Sequence, residues 1–312
     1  MEHIEKEHSM STQLPLSVIV HTKNSAKTIR KCLLSVKMAE EIVVVDMHST
    51  DKTKDIALRY TDEFFEVKDS GYVETVRNFG IGKATQDWIL LLDADEELSD
   101  GMQNWLQAFF PQPDNVVAYY IPRRNFMFGQ EVQHTGWWPD YQLRLFKKGS
   151  VQWQSGIHSQ PQITGEAQKL DPSKERCIIH HNYPDVSSFV ERMNRYTSIT
   201  AQQHSLAKPV TAQTLMSAFS DDFLRRLFEW EGIKDGGLGV GLSLMQATYQ
   251  LLIQMKLWEN NEFKRKKESQ ADSIEALQMF HKDLTYWITD WKVKNSKGFA
   301  KILWMIRRKR RW

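Results

Sequence analysis

The sequence is poor in cysteine and carries little net charge, and both shortages argue against whole classes of protein. Its two cysteines, Cys32 and Cys177, form no CxxC pair, so reduced thiols in the cytosol are the default expectation. A formal net charge of +2 gives no global electrostatic reason to bind nucleic acid. Residues 1–13 are charged and have no apolar core, which excludes a signal peptide and predicts a disordered leader.

Two phosphate-binding motifs are also missing. No GxGxxG follows the first predicted strand, which disfavours a dinucleotide, and no GxxxxGK[ST] occurs, which excludes a P-loop. The first hundred residues instead alternate short apolar runs with helical periodicities. The runs predicted to be strands are 16–20, 41–46, 64–67 and 88–92. This alternation predicts an α/β fold with a parallel, Rossmann-like sheet flanked by helices.

A helix is predicted after each of the first three strands. Asn24 or Ser25 is expected to cap the first helix, and Ser49 or Thr50 the second, which should run to about residue 60. The third helix should extend from about residue 73 to residue 84. Its inner side is predicted to carry Val76, Phe79, Gly80 and Ala84.

The fourth predicted strand ends in a cluster of acids, with Asp93, Asp95, Glu96 and Glu97 inside five residues. In extended chain Asp93 and Asp95 point the same way. Like charges crowded at a strand end are unfavourable unless a cation joins them, and Mg²⁺ or Mn²⁺ suits these hard oxygen ligands. The alternative is a solvated turn that caps a helix.

Polar residues also end the neighbouring strands. Thr22 and Asn24 follow the first strand, and Asp46 ends the second. Carboxyl ends of parallel strands meet at one edge, where an acid on the second strand commonly holds a nucleoside. These residues, with Asp93 and Asp95, predict a nucleoside diphosphate held through a divalent cation. The alternative for Asp46 is a plain turn residue.

Three motifs in order carry a family resemblance. The runs 44–53 (VVDMHSTDKT), 77–81 (RNFGI) and 92–96 (LDADE) resemble the family 2 glycosyltransferases with the GT-A fold, over roughly residues 14–110. The later runs 121–126 (IPRRNF) and 136–146 (GWWPDYQLRLF) are similar to the bacterial subgroup of lipopolysaccharide-core β-1,4-glucosyltransferases, and extend the resemblance to about residue 258.

The resemblance implies a role for each matching residue. Asp46 would bind the uridine of a UDP-sugar, and Arg77 would approach its diphosphate. Asp95 would coordinate a metal that bridges the phosphates, with Asp93 nearer the ribose and contributing to the metal site. Thr22 and Asn24 are assigned to the nucleotide side by their place at the end of the first strand alone.

The sequence departs from the subgroup in two places. Met47-His48 stands where the subgroup usually has Ser-Gly, which stiffens a loop near the nucleotide. His158-Ser159 stands where it often has His-Glu. These departures bear on the acceptor and the sugar more than on the fold.

Inverting transfer needs a base on the acceptor hydroxyl, and Asp140 is the predicted base. The rings of Trp137 and Trp138 would form the base of a sugar subsite, and by excluding water they would raise the pKa of Asp140. The alternative is a structural cluster in which Asp140 pairs with Arg123, Arg124 or Arg144.

Histidines offer a further ligand to the metal. His158, His180 or His181 would supply an imidazole, although a satisfied structural histidine is the more common case.

The C-terminal region is predicted to be helical, with apolar residues at helical spacing over 187–205 and 217–230. Residues 236–255 have no charge, but four glycines and three glutamines favour an interfacial or packed helix over a spanning one. Apolar residues at 299–306 precede the basic run 307–311, a pattern typical of binding to an anionic leaflet. The alternative is a solvated, disordered tail.

The predicted organisation is a leader (1–13), a GT-A catalytic domain (14–185), a helical region (186–298) and a basic amphipathic tail (299–312). The predicted function is transfer of a hexose, with glucose as the first choice, from a UDP-sugar to a lipid-linked or lipopolysaccharide-core saccharide at the cytoplasmic face of the inner membrane. Three alternatives stay open: a peptide or protein acceptor, nucleotide-sugar binding without transfer, and a membrane scaffold acting through the tail.

Overall fold

The computed structural model describes residues 13–69, 71–110, 115–154, 161–206, 209–264 and 266–310. The predicted leader lies almost wholly outside these residues, and so does His158. The chain packs as two compact units. Unit 1 comprises the chain up to residue 126 together with 139–182, and unit 2 comprises 127–138 together with the chain from 183 onward.

Unit 1 is built on one large sheet and a small two-stranded sheet formed by β9 and β10, and its strands and helices follow in chain order. The strands are β1 Leu14–Thr22, β2 Ala39–Asp46, β3 Phe64–Glu66, β4 Trp88–Asp93, β5 Glu96–Leu98, β6 Val116–Met127, β8 Asp140–Lys147, β9 Val151–Gln152, β10 Gln162–Ile163, β11 Glu166–Lys169 and β12 Ile178–Tyr183. The helices are α1 Ile29–Ser35, α2 Thr53–Ala57, α3 Glu74–Lys83 and α4 Asp100–Phe109. The short strand β7, Gln130–Glu131, belongs to unit 2.

The sheet runs in the order β3-β2-β1-β4-β8-β6-β12-β5. Its first four strands are parallel, and β8 adds to β4 in the antiparallel direction. The predicted strands are all present, which confirms the α/β prediction of a Rossmann-like sheet of the GT-A type. The register sets Thr22 beside Asp46 and His21 beside Asp93, so the ends of β1, β2 and β4 meet at one edge as predicted.

Both faces of this sheet are covered, because side chains alternate along each buried strand. On β1, Val18 and Val20 belong to the apolar cluster that includes Leu33 of α1 and Leu106 of α4. Ile19 points to the other face and joins the cluster that includes Val76 of α3. The helices that follow the strands therefore hold the sheet edge in place from both sides.

The predicted helix starts need correction. Helix α1 begins at Ile29, and its N-cap residue makes no side-chain cap bond. Helix α2 has only five residues, Thr53–Ala57, and the hydroxyls predicted to cap it bind elsewhere, that of Ser49 to Asp46 and that of Thr50 to Asn24 Oδ1. Phe79 is 41% exposed instead of facing inward, and its ring meets Phe65 edge-on across a centroid distance of 6.0 Å.

Unit 2 is mainly helical, which confirms the predicted helical C-terminal region. Its helices are α5 Val186–Gln203, α6 Ala212–Leu224, α7 Gly236–Asn260, α8 Gln270–Asn295 and α9 Gly298–Arg310. A π-helical turn, Arg225–Glu229, and a 3-10 turn, Gly232–Asp235, join α6 to α7. Over its described part, the tail that was predicted to be amphipathic belongs to α9, Gly298–Arg310.

Unit 2 has two apolar clusters of its own. One joins Met127 and Val132 to Phe189 of α5 and Leu242 of α7. Trp137 packs against this cluster as a partly buried residue. The other cluster joins residues of α6, α7 and α8, including Phe223, Ala247 and Trp287. Across the described parts of the chain, no helix combines the length and the apolarity that crossing a bilayer would require.

Candidate active site

The edge formed by β1 and β2 is closed by hydrogen bonds between two loops. Asp46 is 1% exposed, and its carboxylate accepts bonds from the Ser49 backbone N–H (2.8 Å) and hydroxyl (2.5 Å). The Asn24 N–H donates to Ser49 Oγ at 2.7 Å, and Asn24 Oδ1 accepts from the Thr50 N–H at 2.8 Å. The side chains of Asp46 and Asn24 thus shape this edge. Their predicted contacts to a nucleotide stay predictions.

His48 occupies a backbone position that suits glycine. Its φ is +60°, in the left-handed region that glycine enters without penalty. The family pattern usually has glycine there. The strain, about 1–2 kcal/mol for an L-residue, is compensated by the bonds that fix the loop between Asp46 and Ser49.

Arg77, which the resemblance predicts to approach the diphosphate, is a buried residue of α3. It is 7% exposed and lies over the ring of Trp153, with its Cζ 5.6 Å from the ring centroid. Its Nη2 contacts Asp93 at 3.4 Å. Its Nη1 is buried and has no hydrogen-bond partner among the described residues, and the same holds for the hydroxyl of Thr22. Buried donors are normally satisfied, so an unsatisfied one at a strand-end site fits a bound anion.

Acids and arginines alternate through the floor of the site. Arg144 Nη2 donates to Asp93 at 2.8 Å and to Glu96 at 2.6 Å. Arg123 donates to Glu96 through Nη1 at 2.9 Å and to Asp140 through Nη2 at 2.6 Å. With Arg77 on Asp93, this "ionic chain" consists of Arg77, Asp93, Arg144, Glu96, Arg123 and Asp140. The charge crowding expected at the end of β4 is thus balanced by guanidinium groups from α3, β6 and β8.

The ionic chain sets the protonation of its carboxylates. Burial alone would raise the pKa of Asp93, but Arg144 and Arg77 outweigh it and hold that pKa well below its usual range. Asp93 is consequently an anion committed to two arginines, and its predicted part in metal binding stays a prediction.

Asp140 corrects one expectation. Burial favours a raised pKa, but Arg123, together with hydrogen bonds from Asn125 and Gln142, lowers the pKa of Asp140 below its ordinary value. The predicted rise is therefore wrong, and the anticipated pairing with Arg123 is present. Asp140 begins β8, which is antiparallel to β4, so it lies near the carboxyl end of β4.

A second feature of the site is the approach of His180 to Asp95. Asn125 donates its amide to Asp140 at 3.1 Å, so its oxygen faces His180 Nδ1 at 2.6 Å and must accept from it. In a neutral ring, the proton on Nδ1 leaves a lone pair on Nε2. That lone pair faces Asp95 Oδ2 across 3.7 Å.

Two electron-pair donors facing each other are unfavourable unless a cation or a proton lies between them. Asp95 and His180 are therefore positioned to share a cation or a proton, whereas His181 is bound elsewhere, to Glu97 at 2.9 Å. No cluster of three or more acidic, histidine or cysteine ligands occurs among the residues that the structure describes. Mg²⁺ is commonly held by one or two protein groups completed by phosphate oxygens and water, so a two-residue site is sufficient.

Sequence reasoning missed Glu96, Arg144 and Asn125. Glu96 is 1% exposed, although its acidic cluster is predicted either to hold a cation or to form a solvated turn. The sequence carries a signal for Arg144, which interrupts the apolar run of Leu143, Leu145 and Phe146. A charge inside a buried strand indicates a buried partner.

Comparison with known proteins gives a family match for part of the chain. Residues 17–163 match the family model described as glycosyl transferase family 2. The lipopolysaccharide core biosynthesis glycosyltransferase LpsC of Rhizobium meliloti (strain 1021) is 24% identical over 262 residues, covering 82% of this chain and 96% of that protein. An uncharacterized glycosyltransferase of Rickettsia bellii (strain RML369-C) is 38% identical over 109 residues, but only 34% of this chain and 37% of that protein are aligned.

Solved structures also align with the chain. The structure of S. aureus TarS 1-349 in complex with UDP-GlcNAc is 16% identical and covers 88% of this chain and 83% of that one, with a TM-score of 0.41.

Proposed function

We propose, on the premise that residues 17–163 of this chain are a glycosyl transferase family 2 domain, that the protein transfers a hexose from a UDP-sugar to a saccharide acceptor with inversion. The observation that carries the proposal is the convergence at one sheet edge of a buried, unsatisfied arginine donor, an Asp95–His180 pair and an ionised Asp140. These are the parts needed to hold a diphosphate and to receive a proton.

The donor is assigned to the edge of β1, β2 and β4. Asp46 takes the uridine, with Thr22 and Asn24 beside it, and Asp93 lies nearer the ribose. Arg77 approaches the diphosphate through its buried Nη1, whose lack of a protein partner supports this role. A guanidinium matches phosphate oxygens in geometry and charge.

The metal is assigned to Asp95 and His180, with Asp93 behind them. Mg²⁺ or Mn²⁺ bound there would neutralise charge on the departing diphosphate. His180 is held for this task by Asn125, which fixes the tautomer that directs a lone pair toward Asp95. His181 takes no part, since Glu97 binds it.

Asp140 is the proposed base. Because Arg123 lowers its pKa, the carboxylate is ionised throughout the physiological range and ready to accept a proton. It takes the proton of the acceptor hydroxyl as that oxygen attacks the anomeric carbon. The bond to the diphosphate breaks on the opposite face of the anomeric carbon, which inverts the configuration. Arg77 stabilises the negative charge that develops on the leaving diphosphate.

The acceptor is proposed to be a lipid-linked or lipopolysaccharide-core saccharide, with glucose as the transferred sugar. Similarity to LpsC over 82% of this chain supports an acceptor of the core type. The site is proposed to act at the cytoplasmic face of the inner membrane, to which helix α9 attaches the protein. The exposed Phe299, Ile302 and Ile306 together with the basic run 307–311 support this attachment.

The test is transfer to truncated core saccharide, with a peptide mixture as the competing acceptor class. Asp140→Asn should bind UDP as the unaltered protein does and lose turnover by a factor on the order of 100 or more. Asp171→Asn, at a side chain that is 97% exposed, is the matched control and should keep full activity. Full activity of Asp140→Asn would refute the base assignment, and transfer to peptide alone would refute the acceptor class.

A further inference from the structure

The C-terminal end of the chain concentrates positive charge. Residues 291–312 contain nine of the 41 lysines and arginines and none of the 39 acidic residues. Without this segment the chain is net negative, although the whole carries +2. An anionic surface would therefore attract this end and repel the rest of the chain.

Helix α9 divides this segment into two faces. Trp304 lies toward α8, with Lys292 Nζ 4.1 Å and Arg307 Cζ 4.7 Å from its ring centroid. Arg308 Nη1 bonds Asp290 of α8 at 2.5 Å. The face turned away from α8 carries Phe299, Ile302, Leu303 and Ile306, exposed by 80%, 54%, 39% and 46%. The polar side of α9 is thus held by contacts with α8, and its apolar side is exposed to solvent.

A cavity of about 290 Å³ lies between α8 and α9. Its walls include Lys282, Asp283, Tyr286, Thr289, Arg307 and Arg308. Arg308 is already held by Asp290, whereas neither Lys282 nor Arg307 forms an ion pair with any residue in the described ranges. The cavity therefore presents two cations that form no ion pair in the described ranges, beside the hydroxyl of Tyr286. The Thr289 hydroxyl donates to the Thr285 carbonyl at 2.7 Å, and the Asp283 carboxylate also lines the wall.

We propose that this cavity binds the terminal phosphate monoester of a membrane lipid while the apolar face of α9 lies in the bilayer surface. A monoester carries about −1.5 to −2 charges at pH 7, which Lys282 and Arg307 match, and its oxygens accept from several donors at once. Arg307 is four residues beyond Leu303, so the cavity borders the apolar face. A lipid phosphate can enter while its acyl chains stay in the membrane.

This inference rests on the membrane attachment in the proposed function and adds recognition of one headgroup to it. A diffuse basic surface would bind any anionic lipid, with an affinity set by the negative surface charge of the vesicle. A cavity of this kind should instead distinguish a phosphate monoester from a phosphate diester at equal surface charge.

The experiment measures binding of the full chain to phosphatidylcholine vesicles doped with phosphatidic acid or with phosphatidylglycerol, at matched surface potential. The unaltered protein should prefer phosphatidic acid by about tenfold, since it adds a charge-assisted contact in the cavity. The pocket variant Lys282→Gln/Arg307→Gln should lower this ratio to about one. The control Lys297→Gln/Lys301→Gln removes equal charge from exposed positions, so it should weaken both lipids and keep the ratio.

Three outcomes would overturn the inference. In the first, the unaltered protein binds phosphatidic acid and phosphatidylglycerol equally. In the second, the pocket variant and the control variant lose the preference for phosphatidic acid to the same extent. In the third, soluble glycerol 3-phosphate binds as tightly as the lipid does. Hydrolysis of the donor sugar, measured on the same variants without vesicles, should be unchanged. Failure of that reaction in the unaltered protein would contradict the proposed function alone.

Discussion

Arg144→Met should destabilise unit 1 strongly. The guanidinium is 2% exposed and donates to Asp93 at 2.8 Å and to Glu96 at 2.6 Å, and Glu96 is itself 1% exposed. After its removal, Asp93 keeps only the longer contact to Arg77, at 3.4 Å, and Glu96 keeps only its ion pair with Arg123. Breaking a buried pair by removing one partner costs about 3–5 kcal/mol. We expect a loss of that size in the free energy of unfolding at pH 7.

The assay is urea denaturation of the full chain, monitored by a spectroscopic probe located in unit 1. Lys54→Met is the control, because its pair with Glu66 joins side chains that are each 50% exposed. Such a surface pair contributes under about 1 kcal/mol. A change in Arg144→Met no larger than in the control would refute the ionic chain as a stabilising element.

The pH dependence gives this prediction a sign. The pKa of Asp93 is lower in the folded protein than in the unfolded chain, so its ionised form stabilises the fold above the unfolded value of about 3.9. That contribution is lost as the pH falls through the folded pKa. The difference between the unaltered protein and Arg144→Met should therefore shrink at acid pH, and a difference that grows would contradict the reasoning.

Three further predictions concern packing, the base and the tail. A Cβ on Gly80 would lie 2.7 Å from Ile19 Cγ2, so Gly80→Ala should lower the free energy of unfolding by about 1–3 kcal/mol. The control Gly82→Ala lies in the same helix, and its Cβ would meet nothing within 4 Å. It should raise the free energy of unfolding by about 0.5–1 kcal/mol. Since Arg123 lowers the pKa of Asp140, kcat/KM measured at saturating metal should show no acid limb from Asp140 above about pH 4, and an acid limb centred above pH 6 that persists as the metal concentration is raised would contradict an ionised base. Removal of residues 299–312 should release the protein from anionic vesicles in a flotation assay, and unchanged binding would refute attachment through α9.

The parts of the site that could be predicted are those encoded locally. Asp46 and Asp93 follow apolar runs, and parallel pairing brings such strand ends together, as the register beside β1 shows. The parts that could not be predicted depend on pairs distant in sequence. Arg144 reaches Glu96 across 48 residues and Asp93 across 51, and single-sequence periodicity has no information on such partners.

The helix starts failed for a related reason. Ser49 is a good N-cap residue by type, but its hydroxyl binds Asp46, which the register of β1 and β2 brings to that loop. Asn24 likewise binds the Thr50 N–H of the neighbouring loop. Tertiary contacts thus took the side chains that local preference assigned to caps.

The most direct test of the account is release of UDP from a panel of UDP-sugars with Mg²⁺ or Mn²⁺, for the unaltered protein, Asp95→Ala and the control Glu97→Gln. Glu97 lies two residues beyond Asp95, in β5, and binds His181, so its variant should keep activity. We predict slow, metal-dependent hydrolysis of one donor that is lost only in Asp95→Ala. Release that survives in Asp95→Ala, or a protein that binds no uridine nucleotide with either metal, would contradict the account.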